Sequence, residues 1–429
     1  MNRRAFLIGA GAGLSVLGAN QRINVGVVGV RGRGRDHIAE FVKLPNARVD
    51  AVCDIDDAQN ERAIAFATKQ QQGLPPRSYR DLRKLLEDKD IDAISIATCN
   101  HWHALATIWA CQAGKDVFVE KPASHNIFEG RKMVEAARKY KRIVQTGMQS
   151  RSIEHKKQAI QLLRDGAIGK VYMAKGLCYK RRKSIGKQAD GPVPAGVDYD
   201  LWLGPAPMRP FNPNRFHYNW HWFWDTGNGD IGNQGVHEMD VARWGLGKDT
   251  LPGNVYSGGG KFVYDDDQET PNTQLATFDY GDCELVFEVR GLITGTEGNI
   301  TAEGTHYIGN LFFGSDGYMS VDSGGFGIYL GEDRKLAREV KHVEPRIWDT
   351  YPLVANFIKA VETRKYQDLT CDIVEGHLSA ALCHMANASY RTKRKLTFDP
   401  ATEQFQDDPE ANACITRKYR PPYVVPENV

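Results

Sequence analysis

The feature that most constrains this chain is the grammar of residues 23–146, where short β-branched runs alternate with amphipathic helical stretches. Strands are expected over 23–30, 49–54, 93–97, 117–120 and 143–146, and helices over 36–43, 58–69, 81–87, 103–113 and 127–140. Near-continuous apolar strands separated by helices predict a parallel sheet covered on both faces. Ligands of such sheets bind beyond the carboxyl ends of the strands. The ends of these runs are therefore the expected active edge.

After residue 146 the pattern changes. A helix (153–163) and a strand (171–179) lead into a long Pro-, Gly- and aromatic-rich stretch, 180–230, whose length points to function and whose aromatics argue against disorder. A helix over 233–246 follows, then strands 273–280 and 283–290 around Gly281-Asp282, a two-residue hairpin turn. Strands 307–313, 318–321 and 327–330 and helices 351–363 and 373–390 complete the reading. The expected fold class is α/β plus α+β: an N-terminal doubly wound parallel sheet of Rossmann type, then a largely antiparallel open sheet with helices. The expected divisions are 1–20, 21–147, 148–395 and a C-terminal tail, 396–429.

A chain of 429 residues has room for two or three domains. Its net charge of +2 gives no reason to expect nucleic acid or an anionic membrane as partner. None of the eight cysteines forms a Cys-x-x-Cys pair, so neither a zinc ribbon nor a redox motif is indicated. The start is different: Arg3-Arg4 and Phe6-Leu7 precede a weakly apolar run, 8–19, shorter than the roughly 20 residues a membrane span needs. It reads as a twin-arginine export signal, which would place the mature protein in the periplasm, with no stable membrane span. A disordered start on a cytoplasmic protein is the alternative. Leu17 leaves the cleavage site poorly marked.

Gly29-Val30-Arg31-Gly32-Arg33-Gly34 closes the first strand and opens a helix. Glycines there permit a tight turn and close approach to a pyrophosphate at the helix N-terminus. Arg31 stands at the usual middle glycine position, and Gly32 is expected to take over the close approach. Asp54, about 20 residues further on, is placed to accept a ribose hydroxyl. Its charge repels a 2′-phosphate, so NAD is favoured over NADP.

At the catalytic end, Thr98 and Asn100 are expected to line the cofactor crevice, and His103 to cap or pack the next helix. His101 and His103 have the spacing of metal ligands but no acidic partner nearby, so no metal is expected. Glu120-Lys121-Pro122 ends the fifth strand; a lysine there overlooks the crevice, where burial can tune it for proton handling.

These motifs, together with Asn233-Gln234-Gly235-Val236-His237 and Asp240, resemble in order and spacing the Gfo/Idh/MocA family, named for glucose–fructose oxidoreductase and inositol dehydrogenase. The resemblance covers nearly all of residues 22–395. It implies that Lys121 hydrogen-bonds the reacting hydroxyl beside the nicotinamide, that Pro122 carries a cis peptide, and that His237 is the acid–base group opposite. Asn233 and His237, four apart on one helix, are expected to share a face. Asn233 stands where the family's dehydrogenases often carry aspartate, so the base role falls to His237.

The aromatic stretch 218–225 reads either as the wall of a sugar pocket or as packing. Gln149, Arg151, Trp222, Trp224 and Asp225 are counted as expected substrate contacts, and 180–183 as a solvated basic loop. The expected activity is hydride transfer between a nicotinamide and a sugar or polyol, by a homo-oligomer joined through its C-terminal sheet. An exported enzyme has little free NAD to draw on, so tight retention of the cofactor is expected. That also admits a redox-neutral glycoside hydrolase or lyase, which oxidises, eliminates and re-reduces. A non-catalytic sugar or cofactor sensor is a third reading.

Overall fold

The computed structural model describes residues 22–342 and 350–429. The arginine pair and apolar run expected to form the export signal lie outside the described residues.

The first unit runs β1 (Ile23–Val28), α1 (Gly32–Phe41), β2 (Ala47–Cys53), α2 (Asp57–Gln71), β3 (Arg77–Tyr79), α3 (Leu82–Glu87), β4 (Ala93–Ile96), α4 (Asn100–Gln112), β5 (Asp116–Val119), α5 (Ile127–Lys139) and β6 (Val144–Thr146). Its six strands are parallel, in the order β3-β2-β1-β4-β5-β6. β4 and β5 are buried along their whole length, as strands covered on both faces must be. The strand order reverses between β1 and β4, which makes the ends of these two strands the place for a ligand. α1 begins at Gly32, earlier than residue 36, because the glycine turn leads straight into the helix.

The second unit contains α6 (Glu154–Arg164), β7 (Val171–Tyr179), α7 (Tyr199–Leu203), α8 (Gly229–Asn233), α9 (Gly235–Gly245), β8 (Asn254–Gly260), β9 (Thr273–Asp279) and β10 (Glu284–Arg290). It continues with β11 (Ala302–Glu303), β12 (His306–Gly314), β13 (Gly317–Asp322), β14 (Gly325–Leu330), β15 (Lys335–Lys341), α10 (Tyr351–Thr363), α11 (Ile373–Thr392), β16 (Leu396–Asp399), β17 (Gln404–Phe405) and α12 (Pro409–Asn412). The strands form one sheet, β15-β14-β13-β12-β7-β10-β9-β8-β16-β17, with β11 on β12. Within this sheet, among the described residues, only the β7–β10 pair is parallel. β9 and β10 bury every second side chain, including Ala276, Phe278, Leu285 and Phe287, in a core shared with α9 and α11. Their hairpin turns at Gly281, whose φ of +86° suits glycine, and closes with the Tyr280 N–H on the Cys283 carbonyl at 3.1 Å.

The two units are interlocked. α10 returns to the first sheet, where Phe357 packs edge-on against Phe41 and Phe118 with ring centroids 6.4 and 5.9 Å apart. Leu353, Val354 and Ile358 share that core with Ile23, Val25 and Val27. The end of the chain also comes back: Tyr423 packs on Trp102 of α4 at 5.5 Å. Among the described residues no helix is long and apolar enough to cross a membrane.

Candidate active site

A crevice of about 590 Å³ opens where the strand order reverses, a size suited to a cofactor and small substrate. Gly29, Arg31, Gly32, Asp54, Thr98 and Asn100 line its first-unit side. Two of the glycines are required by backbone contact. A Cβ at Gly29 would lie 2.8 Å from the Ala97 carbonyl oxygen, and one at Gly34 only 1.9 Å from the Gly29 oxygen. Gly32, at φ +40°, is different: a Cβ there would meet nothing within 4 Å and would project into free space. That space at the start of α1 fits a pyrophosphate held by backbone N–H groups.

Asp54 faces the same crevice, with Oδ2 accepting from the Val30 N–H at 2.9 Å and Oδ1 from the Asp56 N–H at 3.1 Å. Burial raises its carboxyl to about 6 despite these two donors. The donor–acceptor set of glycine turn and acid fits the pyrophosphate and ribose of a dinucleotide.

The opposite wall comes from the long stretch after β7, through Leu201, Trp202, Phe216, His217, Tyr218 and Trp220, with His221 beside them. This segment is tied across the crevice to the first unit. The Asp57 N–H donates to the Gly196 oxygen at 3.1 Å and the Asp198 N–H to the Ile55 oxygen at 2.9 Å. The Trp102 indole N–H reaches the Trp202 carbonyl at 3.1 Å, and His101 Nε2 lies 3.0 Å from the same oxygen. The segment is a roof pinned at several points.

Glu120, Lys121 and Asn233 line the crevice where the two units meet. Lys121 follows β5, and its peptide to Pro122 is cis. Its ammonium donates to the Asn233 main-chain oxygen at 2.7 Å and to Asn233 Oδ1 at 3.3 Å. Burial lowers the Lys121 pKa, with Glu120 opposing. Glu120 accepts from Arg33 Nε at 2.6 Å and from the Lys121 N–H at 3.0 Å, with His37 Nε2 at 3.0 Å. Burial works against its charge, but Arg33 and His37 outweigh it and hold the carboxyl well below the usual range. His103 braces the turns after β4 and β5, its ring nitrogens 3.1 Å from the Thr98 oxygen and 2.7 Å from the Pro122 oxygen. Asn100 donates to Asn228 Oδ1 at 2.8 Å, another link between the units.

Several expected site residues lie elsewhere. The helix expected over 233–246 is broken at Gln234 (φ −103°, ψ −44°) into α8 and α9. Asn233 and His237 therefore do not share a helix face. Asn233 lines the main crevice, whereas His237 lines a separate cavity of about 20 Å³ with Gln149, Lys156 and Glu238. Burial, and after it the nearby Lys121 charge, push its ring down to about 3.

Gln149 packs against Gly147 and the Arg33 guanidinium rather than in the crevice. Arg151 is consumed in a buried ion pair with Asp240, Nε to Oδ2 at 2.9 Å, and reaches Glu375 at 2.9 Å. Trp222 is buried beneath the Arg182 guanidinium, Trp224 packs with Tyr390 and Arg391, and Asp225 pairs with Arg209 at 2.7 Å. These last three turn away from the crevice because Asn219–Trp222 is a 3-10 turn that reverses the chain. The aromatic stretch thus divides, Tyr218 and Trp220 forming wall and Trp222 and Trp224 packing.

Sequence reasoning passed over His221, which the same turn brings to the crevice wall. Its only signal was its place in the aromatic run. Arg182, read within a solvated basic loop, is instead paired with buried Asp230 at 2.6 Å.

Fold and crevice define a two-domain, nicotinamide-dependent oxidoreductase. The chain belongs to the Gfo/Idh/MocA oxidoreductase family: residues 23–148 match its NAD-binding Rossmann fold, and residues 160–303 and 328–425 its C-terminal alpha/beta domain. It is similar to the uncharacterized oxidoreductase YrbE of Bacillus subtilis (strain 168), 25% identical over 289 residues that cover 66% of this chain and 72% of that one. A glycosyl hydrolase family 109 protein of Shewanella sp. (strain W3-18-1) is 31% identical over 158 residues, 35% of this chain and 33% of its own. That likeness spans only about a third of the hydrolase. In fold the chain resembles levoglucosan dehydrogenase in complex with NADH and levoglucosan, with a TM-score of 0.66 at 17% identity, covering 88% and 99% of the two chains.

Proposed function

We propose that this protein transfers hydride between NAD and a hydroxyl-bearing carbon of a sugar or polyol. The observation that carries the reading is Lys121, whose ammonium stands in the same crevice as Gly32 and Asp54 and is aimed by Asn233. NAD, when bound, supplies the hydride acceptor or donor. The chain's own residues bind, orient and handle the proton. Lys121, with two of its three N–H directions spent on Asn233, has one left for the substrate oxygen. Tyr218 and Trp220 offer faces for a sugar ring, and the likeness to levoglucosan dehydrogenase supports a carbohydrate. Asp54 favours NAD over NADP, since its carboxylate accepts ribose hydroxyls and repels a 2′-phosphate.

The pinned roof over the crevice supports tight retention of the cofactor. Retention and the family 109 relatives favour a second reading, redox-neutral cleavage of a glycoside. Transient oxidation to a ketone acidifies the neighbouring C–H, so the leaving group departs by elimination; water adds, and the ketone is reduced again. Denaturing the purified protein and assaying released NAD(H), then incubating it with a panel of sugars, polyols and glycosides, tests both readings. Accumulating NADH marks the dehydrogenase, and bond cleavage without net NADH marks the redox-neutral enzyme. A protein that neither carries nor binds NAD(H) overturns both.

Two further parts belong to this reading. Residues 1–20 are an export signal for the twin-arginine route, supported by Arg3-Arg4 and Phe6-Leu7; fractionation of cells making the Arg3→Lys, Arg4→Lys form tests it. The outer face of the second sheet, with exposed Tyr256 and Leu275, joins copies of the chain into a homo-oligomer. Sedimentation of a Leu275→Lys variant against the parent tests that.

A further inference from the structure

The crevice has an apolar end, and the sheet fixes its place. The Asp54 N–H donates to the Tyr79 oxygen at 3.2 Å, so the end of β3 lies beside the acid placed for the adenosine ribose. Leu82 opens α3 just beyond β3, Trp102 and Ala106 stand one turn apart on α4, and Leu201 lies on α7; all four line the crevice. Such walls suit a flat base attached to that ribose.

Of these elements α7 is the least able to hold itself, being only five residues long. Its carbonyl end is satisfied by side chains from elsewhere. The Trp102 indole N–H donates to the Leu201 and Trp202 oxygens at 3.0 and 3.1 Å. Arg420 Nη2 donates to the Asp200 main-chain oxygen at 2.7 Å, Nε to the Gly204 oxygen at 3.0 Å, and Nη1 to Asp200 Oδ1 at 2.6 Å. Gly204 lies so close to Trp102 that a Cβ there would come within 2.3 Å of the indole.

Tyr423 ties the same parts together from outside. Its buried ring packs on Trp102 at 5.5 Å, and its hydroxyl donates to Asp200 Oδ2 at 3.3 Å. The Arg83 guanidinium of α3 lies 5.5 Å from the centre of that ring and the Arg420 guanidinium 4.9 Å. Arg420 and Tyr423 thus reach α3, α4 and α7 at once, and neither lines the crevice.

We infer that residues 420–423 are a strap that closes α7 onto the adenosine end of the cofactor, with Arg420 as the positioning residue that sets how long the nucleotide stays. It acts through Leu201 and Trp202, whose peptide oxygens it keeps against Trp102. The inference rests on the nicotinamide-cofactor reading above and gives retention a physical cause.

Stopped-flow fluorescence of NADH leaving the full chain, displaced by excess NAD, tests it without turnover. Arg420→Ala is expected to release NADH about 10–100-fold faster, the factor carried by a hydrogen bond to a charged group. ADP-ribose, which keeps the adenosine end and lacks the nicotinamide, should lose affinity in the same variant. Arg420→Lys keeps a charged donor for Asp200 and should recover part of the residence time. Asp200→Asn should speed release by less than Arg420→Ala, and it decides the matter alone if Arg420→Ala does not fold. Arg394→Ala breaks a different pair in the tail, Arg394 with Asp408 at 2.7 Å, and should release NADH as the parent does. Parental release from the Arg420 and Asp200 variants, unchanged ADP-ribose affinity, or equal acceleration in Arg394→Ala overturns the strap and leaves the oxidoreductase reading standing. A parent chain that neither carries nor binds NADH removes that reading, and the strap with it.

Discussion

The Lys121 ammonium lies 2.7 Å from the main-chain oxygen of Asn233, a bond that joins the end of a parallel strand in one domain to the end of a short helix in the other. The lysine is thereby held by the domain that supplies the far wall of the crevice. Its position reports whether the two domains are correctly seated on one another.

Lys121→Ala is expected to lower kcat by about 10²–10⁴-fold, the range for a group that handles or polarises a reacting proton. NADH affinity should change little, because the glycine turn and Asp54 are untouched. Lys121→Arg should not restore the rate, since a planar guanidinium does not reproduce a compact ammonium at a carbonyl. Steady-state kinetics with NADH titration calorimetry distinguishes these outcomes.

Asp54 gives a pH dependence with a definite sign. Burial raises its carboxyl to about 6, above an unfolded value of about 3.9. In the cofactor-free protein the native state then binds the extra proton between those values, so this group's contribution to stability falls as pH rises through about 4 to 6. Cofactor binding runs the other way, because the ionised form is the better ribose acceptor. NADH affinity should weaken as pH falls through about 6, and Asp54→Asn should flatten both trends.

The glycines of the cofactor turn should separate folding from binding. Gly34→Ala drives a methyl to within 1.9 Å of the Gly29 oxygen and should give little folded protein. Gly32→Ala meets no atom, so it should cost only about 1–2 kcal/mol for a left-handed non-glycine residue. It should nevertheless weaken NADH, because its methyl fills the pyrophosphate space. Thermal melts with and without NADH provide the comparison.

Arg151→Ala leaves buried Asp240 with only the Ser379 hydroxyl at 2.7 Å and the Arg243 guanidinium at 3.7 Å. Breaking a buried pair costs about 3–5 kcal/mol, and the remaining Arg243 places the expected loss at the lower end of that range. Urea unfolding reads it directly, and an effect below about 1 kcal/mol would show that Asp240 takes up a proton or a new partner instead.

The glycine end of the crevice was legible because it is built on local backbone: Gly29 and Asp54 follow strands that the apolar runs mark, and Gly34 lies in the first turn of the helix after Gly29. β3, three residues that are half-buried or exposed, carries no apolar run to mark it. β8 ends Ser-Gly-Gly-Gly, and β15 is a charged edge strand, a composition that discourages edge pairing and hides the strand from pattern. The substrate half was less legible, since it depends on how the chain turns between elements. A break at Gln234 separates Asn233 from His237, and a 3-10 turn separates Tyr218 and Trp220 from Trp224. Neither break is announced by glycine or proline at the turning residue.

The return of α10 has a consequence for how the protein is made. Phe357 completes a cluster begun by Phe41 and Phe118, so a nascent chain that has emerged only as far as β6 still shows water a bare apolar flank. Synthesis must proceed through the whole second sheet before that flank is closed. The nucleotide-binding half is thus the first to be translated and among the last to be finished, and cutting the gene at the apparent border between the halves would not yield a self-sufficient piece.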